Sequence, residues 1–139
     1  MYKHILIATD GSELADKGVD SGLALAAALH ANVTAVTATR PPLELAGDVD
    51  PIDRATLDEN ATEILSAVAA KAFALGVSCA GVKISTANPA EAIIDTAMVR
   101  GCDLIVMASH GRRGLQRMIL GSQASKVLLG TTLPVLVIR

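Results

Sequence analysis

The residues best suited to chemistry gather in one stretch near the carboxyl end, Ala108 to Lys126, which reads "ASHGRRGLQRMILGSQASK". Gly111 and Gly114 can take positive φ and leave their backbone N–H groups unshielded, a concavity suited to phosphate oxygens. Gly121-Ser122 opens a helix-like segment. The free N–H groups at such a start, and the positive end of the helix dipole, favour an anion, to which the Ser122 hydroxyl adds a donor. Ser125 lies one helical turn on and can reach the same anion. A second stretch, "ATDGS", ends a short apolar run near the amino terminus. Asp10 in it could accept hydrogen bonds from a ribose or help hold magnesium beside phosphates, and helix capping accounts for it equally well.

Other reactive side chains carry weaker signals. His110 reads as a positioning or exposed residue, because no Ser/Asp partner pattern accompanies it. Arg112, Arg113 and Arg117 read first as a solvated positive face, with phosphate attraction or partner contact second. Asp48, Asp50 and Asp53 sit in a proline-rich segment and read as acidic surface. His4 and His30 lack metal-ligand spacing. Cys79 and Cys102 have no C-x-x-C arrangement and read as reduced, buried small hydrophobes. There is no G-x-x-x-x-G-K-[ST] loop and no G-x-G-x-x-G after the first strand, so neither a P-loop nor a dinucleotide fingerprint is present. An aspartyl-phosphate enzyme would want an acid two residues before Asp10, where Ala8 stands.

Five apolar runs alternate with helical patterns and would position these groups. Strands are expected over His4 to Thr9, Asn32 to Thr39, Val77 to Ile84, Asp103 to Ser109 and Leu133 to Ile138. The first helix runs from Ser12 as N-cap toward His30, with Leu14, Ala15, Val19, Leu23, Ala26 and Ala27 on one face. Arg40 to Asp53 reads as a long loop. The second helix buries Leu57, Ala61, Ile64, Leu65, Val68 and Ala72, and ends at Gly76. A third opens at "NPAE", with Asn88 as cap and Pro89 in the first helical position. A fourth spans Ser122 to about Leu129. "DLIVMAS" is almost wholly apolar, as a central parallel strand covered on both faces should be. Strict β-α alternation implies an α/β fold: one doubly wound, five-stranded parallel sheet with helices on both faces.

The 139 residues fit one domain, residues 1–139. Apolar residues make up 51% and aromatics 1%, so Ala, Val, Leu and Ile must fill the core. Formal net charge is −2, which does not favour nucleic acid or anionic membranes as partners. No signal peptide pattern opens the chain, and no run approaches the roughly 18 apolar residues of a membrane span. A cytoplasmic location is expected.

The quoted motifs together resemble the universal stress protein family: "TDGS" after the first strand, "NPAEAII" before the third helix, and the stretch from Ala108 to the end. The resemblance covers the whole chain. Its nucleotide-binding subgroup carries G-x2-G-x9-G-[ST], a frame that falls here on Ala108, Gly111, Gly121 and Ser122. Ala108 departs from the first glycine, and its methyl could crowd a ribose or phosphate passing close. Ala87 also stands where family members often have glycine.

The resemblance implies a Rossmann-like, adenine-nucleotide alpha hydrolase-like fold and a site for ATP, or for AMP or ADP, with magnesium at Asp10. Ala8, Thr9 and Asp10 would line the adenosine end, and Ala38 and Met107 would contact adenine. Ala108, Gly111, Gly121, Ser122 and Gln123 would surround ribose and phosphates, with Arg112 in the supporting field. It further implies a homodimer through Pro134–Ile138. An edge strand there would otherwise expose backbone groups. The leading expectation is a cytoplasmic ATP-binding stress-response regulator or sensor with an unknown protein partner. ATP would shift Arg40 to Asp53 and residues 109–121. A homodimeric interaction module without nucleotide is the alternative. An enzyme comes last, at most a slow ATP hydrolase, because no nucleophile or base stands out.

Overall fold

The structure is a computed structural model and describes residues 1–41, 51–111 and 120–139. Nine elements follow in strict alternation: β1 (His4–Ala8), α1 (Glu13–Leu29), β2 (Asn32–Thr39), α2 (Pro51–Ala74), β3 (Cys79–Ser85), α3 (Pro89–Val99), β4 (Leu104–Ala108), α4 (Ser122–Gly130) and β5 (Val135–Ile138). The strands form one parallel sheet in the order β3-β2-β1-β4-β5. The expected α/β architecture is therefore present. Several boundaries move inward by one or two residues, since a strand ends where its ladder bonds end. The expected loop Arg40–Asp53 is also cut short, because α2 already begins at Pro51, a residue whose fixed φ suits a first helical turn.

Alternation along β1 and β4 splits the core in two. Ile5, Ile7, Leu104 and Val106 face α1 and α2, where Val19, Leu23, Val68 and Ala72 meet them. Leu6, Ile105 and Met107 face α3 and α4, where Ile93, Ala97, Ala124 and Val127 meet them. β1 and β4 are covered on both sides, which is why every residue of "LIVMA" is buried. Gly18 lets α1 lie directly on the sheet: a Cβ there would sit 3.3 Å from the Ala108 backbone nitrogen.

The amino end of the sheet is pinned by polar groups. Asp103 accepts hydrogen bonds from the backbone N–H groups of Lys3 (2.9 Å) and His4 (3.1 Å). His4 Nε2 lies 2.7 Å from Thr34 Oγ1, which gives the ring a structural role in joining β1 to β2. Cys102 is buried as expected, but Cys79 is only half-buried, because β3 is an edge strand with one open side. Burial pushes both thiols above their ordinary range, so neither is an activated nucleophile. Among the described residues, no helix is long and apolar enough to cross a membrane.

The candidate functional site

The strand order reverses across β1 and β4: the chain builds outward from β1 to β2 and β3, then crosses back to β4 and β5. Helices leave β1 and β4 on opposite faces of the sheet, and a crevice must open at the carboxyl ends between them. A cavity of about 720 Å³ occupies that place. Its volume lies within the range usual for small-molecule sites, roughly 300–1,000 Å³.

One end of the cavity is aliphatic. Ala8, Val36, Ala38, Ile93 and Met107 line it, from β1, β2, α3 and β4. No aromatic side chain is among them, in keeping with a chain that has only Tyr2 and Phe73. Such walls suit a flat apolar group, and the thioether of Met107 is adaptable enough to pack against one.

The other end is polar, and backbone geometry builds it. The Gly121 N–H donates to the Ser109 carbonyl at 2.7 Å, and the Ser125 N–H donates to the Gly121 carbonyl at 2.9 Å. These two bonds hold the start of α4 over the end of β4. A Cβ on Gly121 would lie 2.6 Å from that same Ser109 oxygen, so the turn closes only with glycine. Gly121 is the N-cap and supplies no side chain. Among the described residues, the backbone N–H groups of Ser122, Gln123 and Ala124 have no hydrogen-bond partner, as the first turn of a helix leaves them. No acid occupies the first turn of α4. These donors and the helix dipole make that end of the cavity attractive to an anion.

The acid at the end of β1 has a defined orientation. Asp10 Oδ1 accepts from the Ser12 N–H at 2.9 Å. The helix cap is Ser12, whose Oγ accepts from the Ala15 N–H at 3.2 Å. Asp10 thus shapes the turn before the cap and brings its carboxylate to the cavity. Oδ2 lies against Gly111, where a Cβ would come within 2.6 Å of it. The value of Gly111 is this missing side chain, not the positive φ expected of it. In the β1–α1 turn the positive φ belongs to Gly11, at 78°. Thr9 is buried, and its hydroxyl accepts from the Gly11 N–H at 3.1 Å.

The cavity thus brings together Ala8, Thr9, Asp10, Ala38, Met107, Ala108, Gly111, Gly121, Ser122 and Gln123, as sequence reasoning expected. Arg112, Arg113, Gly114 and Arg117, and the acids Asp48 and Asp50, lie outside the described residues. Among the described residues, no group of three potential ligands could hold a metal ion. Asp10 is the single carboxylate among the described lining residues, and a magnesium ion beside it would draw further ligands from phosphate and water.

Several contributors were missed. Arg40 lines the cavity from the end of β2; its signal was a cation immediately after a β-branched strand. His110 is half-buried with Nδ1 3.0 Å from Ser109 Oγ, so it does have a serine partner, supplied by its own neighbour in the chain. Asn88 makes no side-chain cap at α3. Gln123 does so instead, its Oε1 accepting from the Ala90 N–H at 3.2 Å.

Comparison with known proteins agrees with this fold. The model of the universal stress protein family matches residues 1–139. The chain belongs to that family. A universal stress protein of Thermus aquaticus is 35% identical over 140 residues, covering 100% of both chains. Universal stress protein UspA from Lactobacillus plantarum superposes with a TM-score of 0.85 at 26% identity, covering 99% of this chain and 98% of the other. A universal stress protein crystallised in complex with cAMP superposes with a TM-score of 0.77 at 25% identity, covering 99% and 97%.

Among the described glycines of this universal stress protein, Gly121 makes the closest approach to other backbone. Gly121→Ala is expected to cost about 1–3 kcal/mol, because the Ser109–His110 backbone must give way to the new methyl. Urea unfolding of the two proteins measures the difference.

Proposed function

We propose that this protein binds an adenine nucleotide, ATP in the first instance, in the cavity between β1 and β4, and acts in the cytoplasm as a regulator or sensor. The observation that carries the reading is the union of two unlike ends in one cavity. An aliphatic slot fits a base, and three unpartnered helix N–H groups fit phosphate oxygens. The cAMP complex of a relative shows that the family fold accepts an adenine nucleotide. Asp10 supplies acceptors for ribose hydroxyls or a magnesium ligand, and Arg40 supplies positive charge at the rim.

Ala108 does not oppose this reading. Alternation along β4 puts its methyl on the side of Leu104 and Val106, toward α1, and not on the side of Met107. Its backbone lies beside Gly18, so space taken by the methyl is space that α1 has already ceded. Ala108→Gly is therefore expected to change ATP affinity by less than about threefold, under 1 kcal/mol. Calorimetric titration of ATP, with and without magnesium, measures both the wild-type affinity and this change. No heat of binding from the wild type would remove the nucleotide reading and favour an interaction module. A large gain in Ala108→Gly would show that the methyl obstructs the site.

β5 stands at a sheet edge with Leu136 exposed, and we propose that two copies pair along Pro134–Ile138. Light scattering should give a dimer that Leu136→Lys converts to monomer; a wild-type monomer at micromolar concentration would contradict the pairing.

A further inference from the structure

Gln123 occupies a position that no backbone argument required. It sits in the first turn of α4, lines the cavity, and reaches across to the first turn of α3, where Oε1 accepts from the Ala90 N–H at 3.2 Å. That bond fixes the orientation of the amide. A backbone N–H can only donate, so the carbonyl oxygen of Gln123 must face Ala90 and the amide nitrogen must turn the other way. Among the described residues, the Gln123 NH2 group makes no hydrogen bond. To anything in the cavity Gln123 can therefore present only donors.

The surroundings favour an anionic acceptor for them. Gln123 bridges the first turns of two helices, α3 of 11 residues and α4 of nine, and the positive ends of both dipoles lie at its two ends. Ser122 beside it offers a hydroxyl and a backbone N–H. Asp10, the one carboxylate among the described lining residues, belongs to a different element, the turn between β1 and α1.

We propose that Gln123 is a specificity-determining residue of the nucleotide site: with its carbonyl held by α3, its amide donates to a phosphate oxygen, and it thereby joins the two helix starts around the phosphate. The proposal rests on the nucleotide reading above.

Gln123→Glu separates recognition from structure. One carboxylate oxygen still accepts from Ala90, and its charge suits the start of α3, so the inter-helix bond survives. The other oxygen now presents negative charge where donors stood. ATP affinity should fall by roughly tenfold or more, adenosine affinity should stay within about twofold, and the melting temperature should hold. Gln123→Met, which removes donor and acceptor together, should lose less ATP affinity than Gln123→Glu and should melt lower. Titration calorimetry with ATP and with adenosine, together with thermal melts, reads all of this. Unchanged ATP affinity in Gln123→Glu, with binding intact in the wild type, overturns the proposal and leaves the nucleotide reading standing. An equal loss for adenosine overturns the phosphate contact. A wild type that binds neither ligand overturns both readings.

Discussion

A single backbone hydrogen bond, from the Gly121 N–H to the Ser109 carbonyl, governs the geometry of the candidate site. It returns the chain to the tip of β4 after residues 112–119, so that α4 starts where the strand stops. Without it, the helix would still pack Ala124 and Val127 on the sheet, but its first-turn amides would not be aimed at the crevice. The bond demands glycine, because a methyl at residue 121 would meet the very oxygen that accepts it. Steric exclusion therefore fixes residue 121 against the end of β4.

The rest of the polar end follows from the same economy of atoms. Ser12 caps α1, Gly121 caps α4 without a side chain, and Gln123 caps α3 from a neighbouring helix. Among the described residues, the start of α4 has no side-chain cap, and it faces the switch point of the sheet with the N–H groups of Ser122, Gln123 and Ala124 unpartnered. Burial adds the second requirement. The aliphatic end of the cavity is built from Ala8, Val36, Ile93 and Met107, which belong to the α3/α4 half of the core, together with Ala38 near the end of β2. A ligand there would extend the α3/α4 half of the core by one further apolar layer.

Much of this was legible in the sequence, for identifiable reasons. The strands were visible because β1 and β4, buried on both faces, read as unbroken apolar runs, while β2 is rich in β-branched residues. That the site residues gather at one cavity was legible because a Gly-Ser pair opening a helix after an apolar strand sets free N–H groups at the carboxyl end of the sheet. Interactions across the fold were not visible. Asn88 at "NPAE" carries every local mark of a cap, yet the bond to the Ala90 N–H is made by Gln123, thirty-three positions beyond Ala90. Arg40 was missed because its place in the cavity depends on which strand ends are adjacent, a property of topology and not of local pattern. Local sequence offered Gly111 the freedom of positive φ, whereas its constraint in the fold is the carboxylate of Asp10, far away in the chain.

The central claim is that phosphate meets the exposed amides at the start of α4. Backbone amide shifts, followed by nuclear magnetic resonance during an ATP titration, test it at the atoms concerned. The account predicts the largest saturable shifts at Ser122, Gln123 and Ala124, with smaller ones at Ala90. ATP binding that shifts other regions and leaves these three amides unmoved would contradict it.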